Sequence, residues 1–183
     1  MNNQNYINFE IQELIKVIES ISRELCGMAD GLFEKYYRKL DDDISIENVE
    51  KAYQKAEIAN DALLFINYRD AGNHCTCHPD DIVGCRYCLL KGAFDKFINE
   101  NIKILIDKFV KEFGYKDYRI WLEMRYPNIG IEDIDREELL IDLYYALDNP
   151  LMTREELECS CNGVISLCGV CQADERIRWR NDQ

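Results

Sequence analysis

The sequence predicts a mainly α-helical, bundle-like protein whose helices are interrupted by two short cysteine-rich loops. Apolar residues recur every three or four positions over long stretches, and the 183 residues include only three prolines and nine glycines. Hydrophobic residues make up 47% of the chain, which is enough to build a core. We expect two helical regions, residues 1–114 and 115–183, which carry one cysteine loop each and could form one compact domain.

Three long helices are predicted in the first region. The first begins at Ile11, and its apolar stripe extends to Leu40. Ser45 is placed to cap the second helix, and the third begins near Cys88 and ends at Gly114. We expect the whole first stripe to face the core. Its residues are Leu14, Ile15, Ile18, Ile21, Leu25, Met28, Leu32, Phe33, Tyr36 and Leu40.

Shorter helices are predicted in the second region. A helix over residues 118–126 stops before Pro127, because proline cannot continue it. Asp135 is followed three residues later by Glu138, a pattern typical of a helix start. Thr153 opens a brief turn that leads into the second cysteine loop.

Eight of the nine cysteines form two quartets of the same order, C-x-C followed by a short loop and then C-x-x-C. A tetrahedral zinc ion needs four soft ligands that converge on one point, and two closely spaced cysteine pairs supply them. Short β-hairpins at these sites would suit the tight turns. The predicted ligands of two zinc ions are Cys75, Cys77, Cys85 and Cys88, and Cys159, Cys161, Cys168 and Cys171.

Two other interpretations of these cysteines are disulfide bonds and an iron–sulfur cluster. The polar segment Met1–Glu10 does not resemble a secretory signal, so we expect a cytoplasmic protein whose thiols stay reduced. An iron–sulfur cluster stays open as an alternative because four thiolates also hold such clusters, although the spacing fits no ferredoxin. His74 or His78 could replace one sulfur ligand. The lone Cys26 is predicted to be a small buried residue.

The chain is strongly acidic, with a formal net charge of −13. Such a charge repels phosphate backbones, so we expect a protein partner rather than nucleic acid, and no stretch has the apolar length of a membrane span. An acidic face could occupy a basic groove of the partner, and a basic segment with tryptophan near the end could supply further contacts. The candidate contact residues are Asp41, Asp42, Asp43, Arg176, Arg178, Trp179 and Arg180.

The motifs indicate a binding protein rather than an enzyme. The sequence contains no phosphate-binding loop, no dinucleotide-binding turn and no nucleophile elbow. Four thiolates would also close each zinc site to water, which makes the zinc structural. The sequence therefore predicts a zinc-stabilised acidic protein, in one version a phage-type, anti-CRISPR-like inhibitor of a nucleic-acid-processing enzyme. The alternative is a nucleic-acid-binding regulator that uses its C-terminal Arg/Trp segment.

Overall fold

The computed structural model describes residues 3–41, 43–78, 84–149, 157, 159 and 168–181, without the side chains of residues 3–9 and 181. This part of the chain forms six helices and no strand, so the mainly α-helical prediction is confirmed. Hairpins within the remaining parts of the two cysteine loops stay a prediction. No helix in the described ranges is long and apolar enough to cross a membrane. The helices are α1 (Asn3–Tyr37), α2 (Ile46–Asp70), α3 (Arg86–Phe113), α4 (Tyr115–Arg125), α5 (Arg136–Asp148) and α6 (Gly169–Asn181).

Two compact units make up the chain, Met1–Asn99 and Glu100–Gln183. The first contains α1, α2 and the beginning of α3, and the second contains the rest of α3 with α4, α5 and α6. The division falls inside α3. The boundary predicted between residues 114 and 115 lies at the end of that helix, where Gly114 has a φ of 99°.

In the first unit, α1 and α2 form an antiparallel hairpin. The hydroxyl of Ser22 donates to Asn60 Oδ1 at 2.9 Å, and the hydroxyl of Tyr53 donates to Asp30 Oδ1 at 2.8 Å. Because the partner in α2 moves back along the chain as the residue in α1 moves forward, the two helices run in opposite directions. Apolar side chains fill the space between them, and the most deeply buried are Val17, Ile18, Ala29, Ala59, Ala62 and Ile66.

The apolar stripe of α1 is longer than the core that covers it. Leu14, Ile18 and Ile21 are buried as predicted, but the second half of the stripe is not. The prediction was wrong for Met28, Phe33, Tyr36 and Leu40, which are exposed. Periodicity identifies the face of a helix on which apolar residues lie, but it does not show how far neighbouring elements extend along that face.

Two smaller predictions in α1 also need correction. Gly27 and Gly31 are positions at which a helix pattern often bends or ends, but α1 continues through both without a break. Cys26 is only half-buried rather than a core residue.

The predicted caps of α2 and α5 are confirmed, whereas α1 and α4 begin earlier than predicted. The Ser45 side chain accepts a hydrogen bond from the Asn48 backbone N–H, and Asp135 accepts from the N–H groups of Glu137 and Glu138. Each cap satisfies backbone donors that have no partner within the helix. Thr153, predicted to open a turn, lies outside the described residues.

The ends of α1 and α2 share one backbone motif with different residues. In both, the chain turns through a left-handed residue, Lys39 with a φ of 54° and Gly72 with a φ of 80°. The next N–H donates to a carbonyl five residues earlier, Leu40 to Lys35 and Asn73 to Tyr68. Glycine adopts this conformation without steric cost, whereas lysine does not.

The second unit is organised around aromatic residues and one buried carboxylate. The Phe109 ring lies 5.7 Å from Tyr118 and 5.2 Å from Trp121, measured between centroids. Glu123, in α4, is only 6% exposed. Its carboxylate accepts a hydrogen bond from Arg176 Nε at 2.7 Å and forms an ion pair with Arg180. Both arginines lie in α6, so this contact holds α6 against α4.

We predict that Lys39→Gly raises the free energy of unfolding by about 1 kcal/mol, because it removes the steric cost of the left-handed conformation. Gly72→Ala is the matched control and should lower it by a similar amount. Urea unfolding followed by circular dichroism measures both. A Lys39→Gly chain that is no more stable than the wild type would contradict the assignment of strain to Lys39.

We predict that Glu123→Gln lowers the free energy of unfolding by about 3 kcal/mol, because it leaves two arginine charges without their buried partner. Asp174→Asn is the control. It removes the ion pair with Arg178, whose side chain is 73% exposed, and should cost less than about 1 kcal/mol. Thermal and urea unfolding distinguish the two. A cost for Glu123→Gln no larger than that of Asp174→Asn would show that the pair with α6 contributes little.

Candidate metal centres

The first cysteine quartet lies between the end of α2 and the start of α3. The turn at Gly72 ends α2, and the side-chain amide of Asn73 donates to the Tyr68 carbonyl at 2.9 Å. The chain then leads directly into Cys75 and Cys77. On the far side of the loop, the Arg86 guanidinium stacks over the Tyr68 ring at 5.4 Å. These contacts fix both ends of the loop and bring its cysteines together.

The four sulfurs of this quartet have the spacing of a single coordination sphere. The Sγ atoms of Cys75 and Cys88 are 3.3 Å apart, those of Cys77 and Cys88 are 3.7 Å apart, and Cys85 lies 3.8 Å from Cys88 and 3.9 Å from Cys75. Four sulfurs that each lie ~2.3 Å from one tetrahedral ion would be about 3.8 Å from one another. The residues therefore fit one metal ion.

This geometry is also relevant to the three alternatives: a disulfide, an iron–sulfur cluster and a histidine ligand. A disulfide requires two sulfurs about 2.05 Å apart, and the cysteines of this quartet are free thiols. A cluster of two or four irons would spread its thiolates over separate metal atoms, whereas these sulfurs surround one point. The group of converging ligands contains four cysteines and neither His74 nor His78.

Backbone N–H groups point at the sulfurs. The N–H of Cys85 donates to Cys77 Sγ at 2.9 Å, and the N–H of Thr76 donates to Cys85 Sγ at 3.5 Å. These donors stabilise the thiolate form and so favour metal binding. The backbone N–H of Thr76, followed by that of Cys88, lowers the pKa of the Cys85 thiol to about 5.

The close packing of the sulfurs has the opposite effect on the pKa of another ligand, Cys88. Hydrogen bonding to Cys75, and then to Cys77 and Cys85, raises the pKa of Cys88 to about 12. One site therefore holds a thiol that ionises readily beside one that keeps its proton at pH 7 unless a cation takes its place. Thiolates packed this closely repel one another, and a divalent ion removes that repulsion.

The C-x-x-C half of the quartet is built into the beginning of a helix. Cys85 comes immediately before α3, and its carbonyl accepts the first helical hydrogen bond, from the Leu89 N–H at 3.1 Å. Cys88 lies in the first turn. A helix N-terminus favours negative charge, so this position also stabilises the thiolates. Gly84 fits closely here, since a Cβ at that residue would lie 3.1 Å from Cys88 Cβ.

The second quartet repeats this design at the start of α6. Cys168 comes immediately before the helix, and its carbonyl accepts from the Gln172 N–H at 3.0 Å. Cys159 Sγ lies 3.3 Å from Cys171 Sγ and 3.9 Å from Cys168 Sγ. The three sulfurs form a second group able to hold a metal ion. Cys161, the predicted fourth ligand, lies outside the described residues.

Equivalent placement of the two C-x-x-C pairs is the feature that the sequence analysis missed. It predicted the start of α3 at Cys88, whereas the helix begins at Arg86 and its cap is Cys85. The signal was present in the sequence as an amphipathic stretch that follows directly after each pair. What distinguishes the two sites is burial, since Cys168 is 3% exposed while Cys85 is half-buried.

The predicted partner-binding residues have different environments. Asp41 and Asp43 are exposed between α1 and α2, and Asp42 lies outside the described residues. At the other end of the chain, Arg176 and Arg180 contact Glu123 within the protein. The remaining two residues of the predicted set are exposed: Arg178, paired with Asp174, and Trp179.

Comparisons with protein-family models, with curated proteins and with solved structures found no match to this chain. The two sulfur clusters and the helices that position them are therefore the basis for any functional assignment.

We predict that the purified chain carries two metal ions and that Cys85→Ser and Cys168→Ser each remove one, because each substitution removes one ligand from a different cluster. Cys26→Ser is the control and should keep both ions, since Cys26 belongs to neither cluster. Inductively coupled plasma mass spectrometry on the intact chain gives the metal content. Loss of both ions in Cys85→Ser would show that the sites are not independent.

We predict that metal retention falls as the pH is lowered from 7 towards 4. Protons compete with the ion for the thiolates. The pKa of Cys85 is about 5, so below that pH protons compete with the ion for this ligand as well. Release into a chromophoric chelator, measured at half-unit steps of pH, checks this. Metal held fully at pH 4 would contradict it.

Proposed function

We propose that this protein is a non-enzymatic, acidic helical protein that is stabilised by two structural zinc ions and binds another protein. The observation that carries the proposal is the convergence of four sulfurs at the start of α3, all within 4.8 Å of one another and four of their pairs only 3.3–3.9 Å apart. A similar group at the start of α6 supports a second ion.

Zinc is the metal that this donor set favours. Soft thiolates select zinc among the divalent ions that prefer tetrahedral sites. Four thiolates on one ion leave no position for water and give the site a net charge of −2, which suits a structural role rather than hydrolysis. Binding would supply folding free energy, about 10–16 kcal/mol per site in zinc-finger peptides.

Charge supports a protein partner with a basic surface. The formal charge of −13 becomes more negative when two closed thiolate sites are included. Two arginines of the basic C-terminal segment, Arg176 and Arg180, contact Glu123 instead of projecting freely. This favours protein binding over the alternative of a nucleic-acid-binding regulator. In its specific form, the proposal is that the protein inhibits a nucleic-acid-processing enzyme, as phage anti-defence proteins do, by placing carboxylates where phosphates normally bind.

The experiment has two stages. We expect chelator treatment of the zinc-loaded chain to lower its helical circular dichroism signal, and zinc but not magnesium to restore it. The tagged, zinc-loaded chain is then used to isolate its partner from a lysate of the organism that encodes it. Binding of the purified partner should be lost with the chelator and should weaken with added nucleic acid and with moderate salt.

Each part of the proposal would be contradicted by a different result. A chain that is fully folded without metal and is unaffected by chelator would remove the zinc-stabilised scaffold. Partner binding that is insensitive to salt and to nucleic acid would remove the phosphate-mimic version alone. A gel shift with DNA or RNA at low salt, with a steep salt dependence that Arg178→Ala and Trp179→Ala reduce, would favour the nucleic-acid-binding alternative.

A further inference from the structure

A group of exposed apolar side chains lies at one end of the α1–α2 hairpin. Phe33 and Tyr37 stack with their ring centroids 6.0 Å apart, and Tyr37 is 77% exposed. Leu40 follows at 67% exposure. We call this surface the tip patch. Its residues are Phe33, Tyr36, Tyr37, Leu40, Ile46 and Tyr53, all between 39% and 77% exposed.

The tip patch is more than a scatter of surface apolar residues. Phe33 and Tyr36 continue, at helical spacing, the face of α1 on which Ser22 and Ala29 are buried. The stripe thus extends beyond the core that covers its first half. Single exposed apolar residues are common in soluble proteins, but exposed aromatic rings that stack on one another, as those of Phe33 and Tyr37 do, mark an interaction surface. Aromatic residues are also enriched among those that dominate binding energy.

The segment that carries the tip patch has an excess of acidic residues. Residues 28–53 contain seven aspartates and glutamates but only four lysines and arginines. Two ion pairs within the segment, Arg38 with Glu34 and Lys51 with Glu47, neutralise two residues of each sign, which leaves five acids and two bases. The exposed Asp41 and Asp43 lie in the connection itself. An occupant of this surface therefore has to offer an apolar centre and positive charge around it.

We infer that the tip patch is the surface on which this protein docks its partner, a protein that presents an apolar patch with a basic rim. The inference rests on the proposed binding function and names the surface responsible. A second copy of the chain is a poor occupant, because a symmetric contact would bring two equal acidic rims together on molecules of charge −13. A nucleic acid would meet the same repulsion.

The test uses the full, zinc-loaded chain and three synthetic 18-residue helical peptides as probes. The first has a leucine stripe flanked by lysines, the second has the same stripe flanked by glutamates, and the third has the lysines with serine in place of leucine. At near-physiological salt, where the Debye length is about 8 Å, pure charge attraction is weak. We expect only the leucine–lysine peptide to bind, and its amide shifts in NMR spectra to centre on residues 28–53.

Substitutions locate the surface. Tyr37→Ser with Leu40→Ser should weaken the leucine–lysine peptide at least tenfold without changing helicity or metal content, since both side chains are exposed. Leu89→Ser is the matched control, because Leu89 is 60% exposed in the same unit but lies outside the tip patch. It should leave binding unchanged.

The possible outcomes separate the inference from the proposed function. Equal binding of the leucine–lysine and serine–lysine peptides, or equal loss in Leu89→Ser, would overturn the tip patch as a docking surface. A dimer in sedimentation that Tyr37→Ser converts to monomer would overturn it in favour of a second copy. If the isolated natural partner binds the Tyr37→Ser, Leu40→Ser chain as tightly as the wild type, the inference fails while the proposed function stands.

Discussion

The convergence of four thiols at the first turn of a helix is the constraint on which the functional interpretation of this protein depends. Cys85 and Cys168 each cap a helix and each belong to a group of sulfurs that surround one point. The helix dipole and the backbone N–H groups favour the thiolate form there, while repulsion between neighbouring thiolates opposes it. A divalent ion would resolve this conflict, so its binding and the formation of the local structure would be coupled.

Much of the fold and of the first metal site could be predicted from the sequence, because the interactions that determine them are local. Residues a few positions apart determine the ligand spacing within a quartet, the caps at Ser45 and Asp135, and the end of α3 at Gly114. The uncovered half of the α1 stripe could not be predicted, since periodicity does not measure the length of a neighbouring helix. The pairing of Arg176 with Glu123 spans 53 residues, and no local pattern indicates it.

Charge and apolar surface have separate roles in this chain. Where a carboxylate is buried, as at Glu123, two arginines neutralise it and the contact is structural. Where carboxylates are exposed near aromatic side chains, as in the segment of Phe33 and Tyr37, they give the surface around the rings a negative charge. Under the proposed function, the same overall acidity would favour a partner of opposite sign over a second copy of the chain.

The capping position of Cys168 has a consequence for how the end of the chain acquires its shape. A segment of 13 residues, the length of α6, is marginal as an isolated helix because fixing its first turn is the unfavourable nucleation step. An ion that gathers Cys159, Cys168 and Cys171 fixes that turn in advance, and the remaining residues can then add one hydrogen bond each. Formation of α6 would thereby depend on the ion more than on the helix-forming tendency of its own residues.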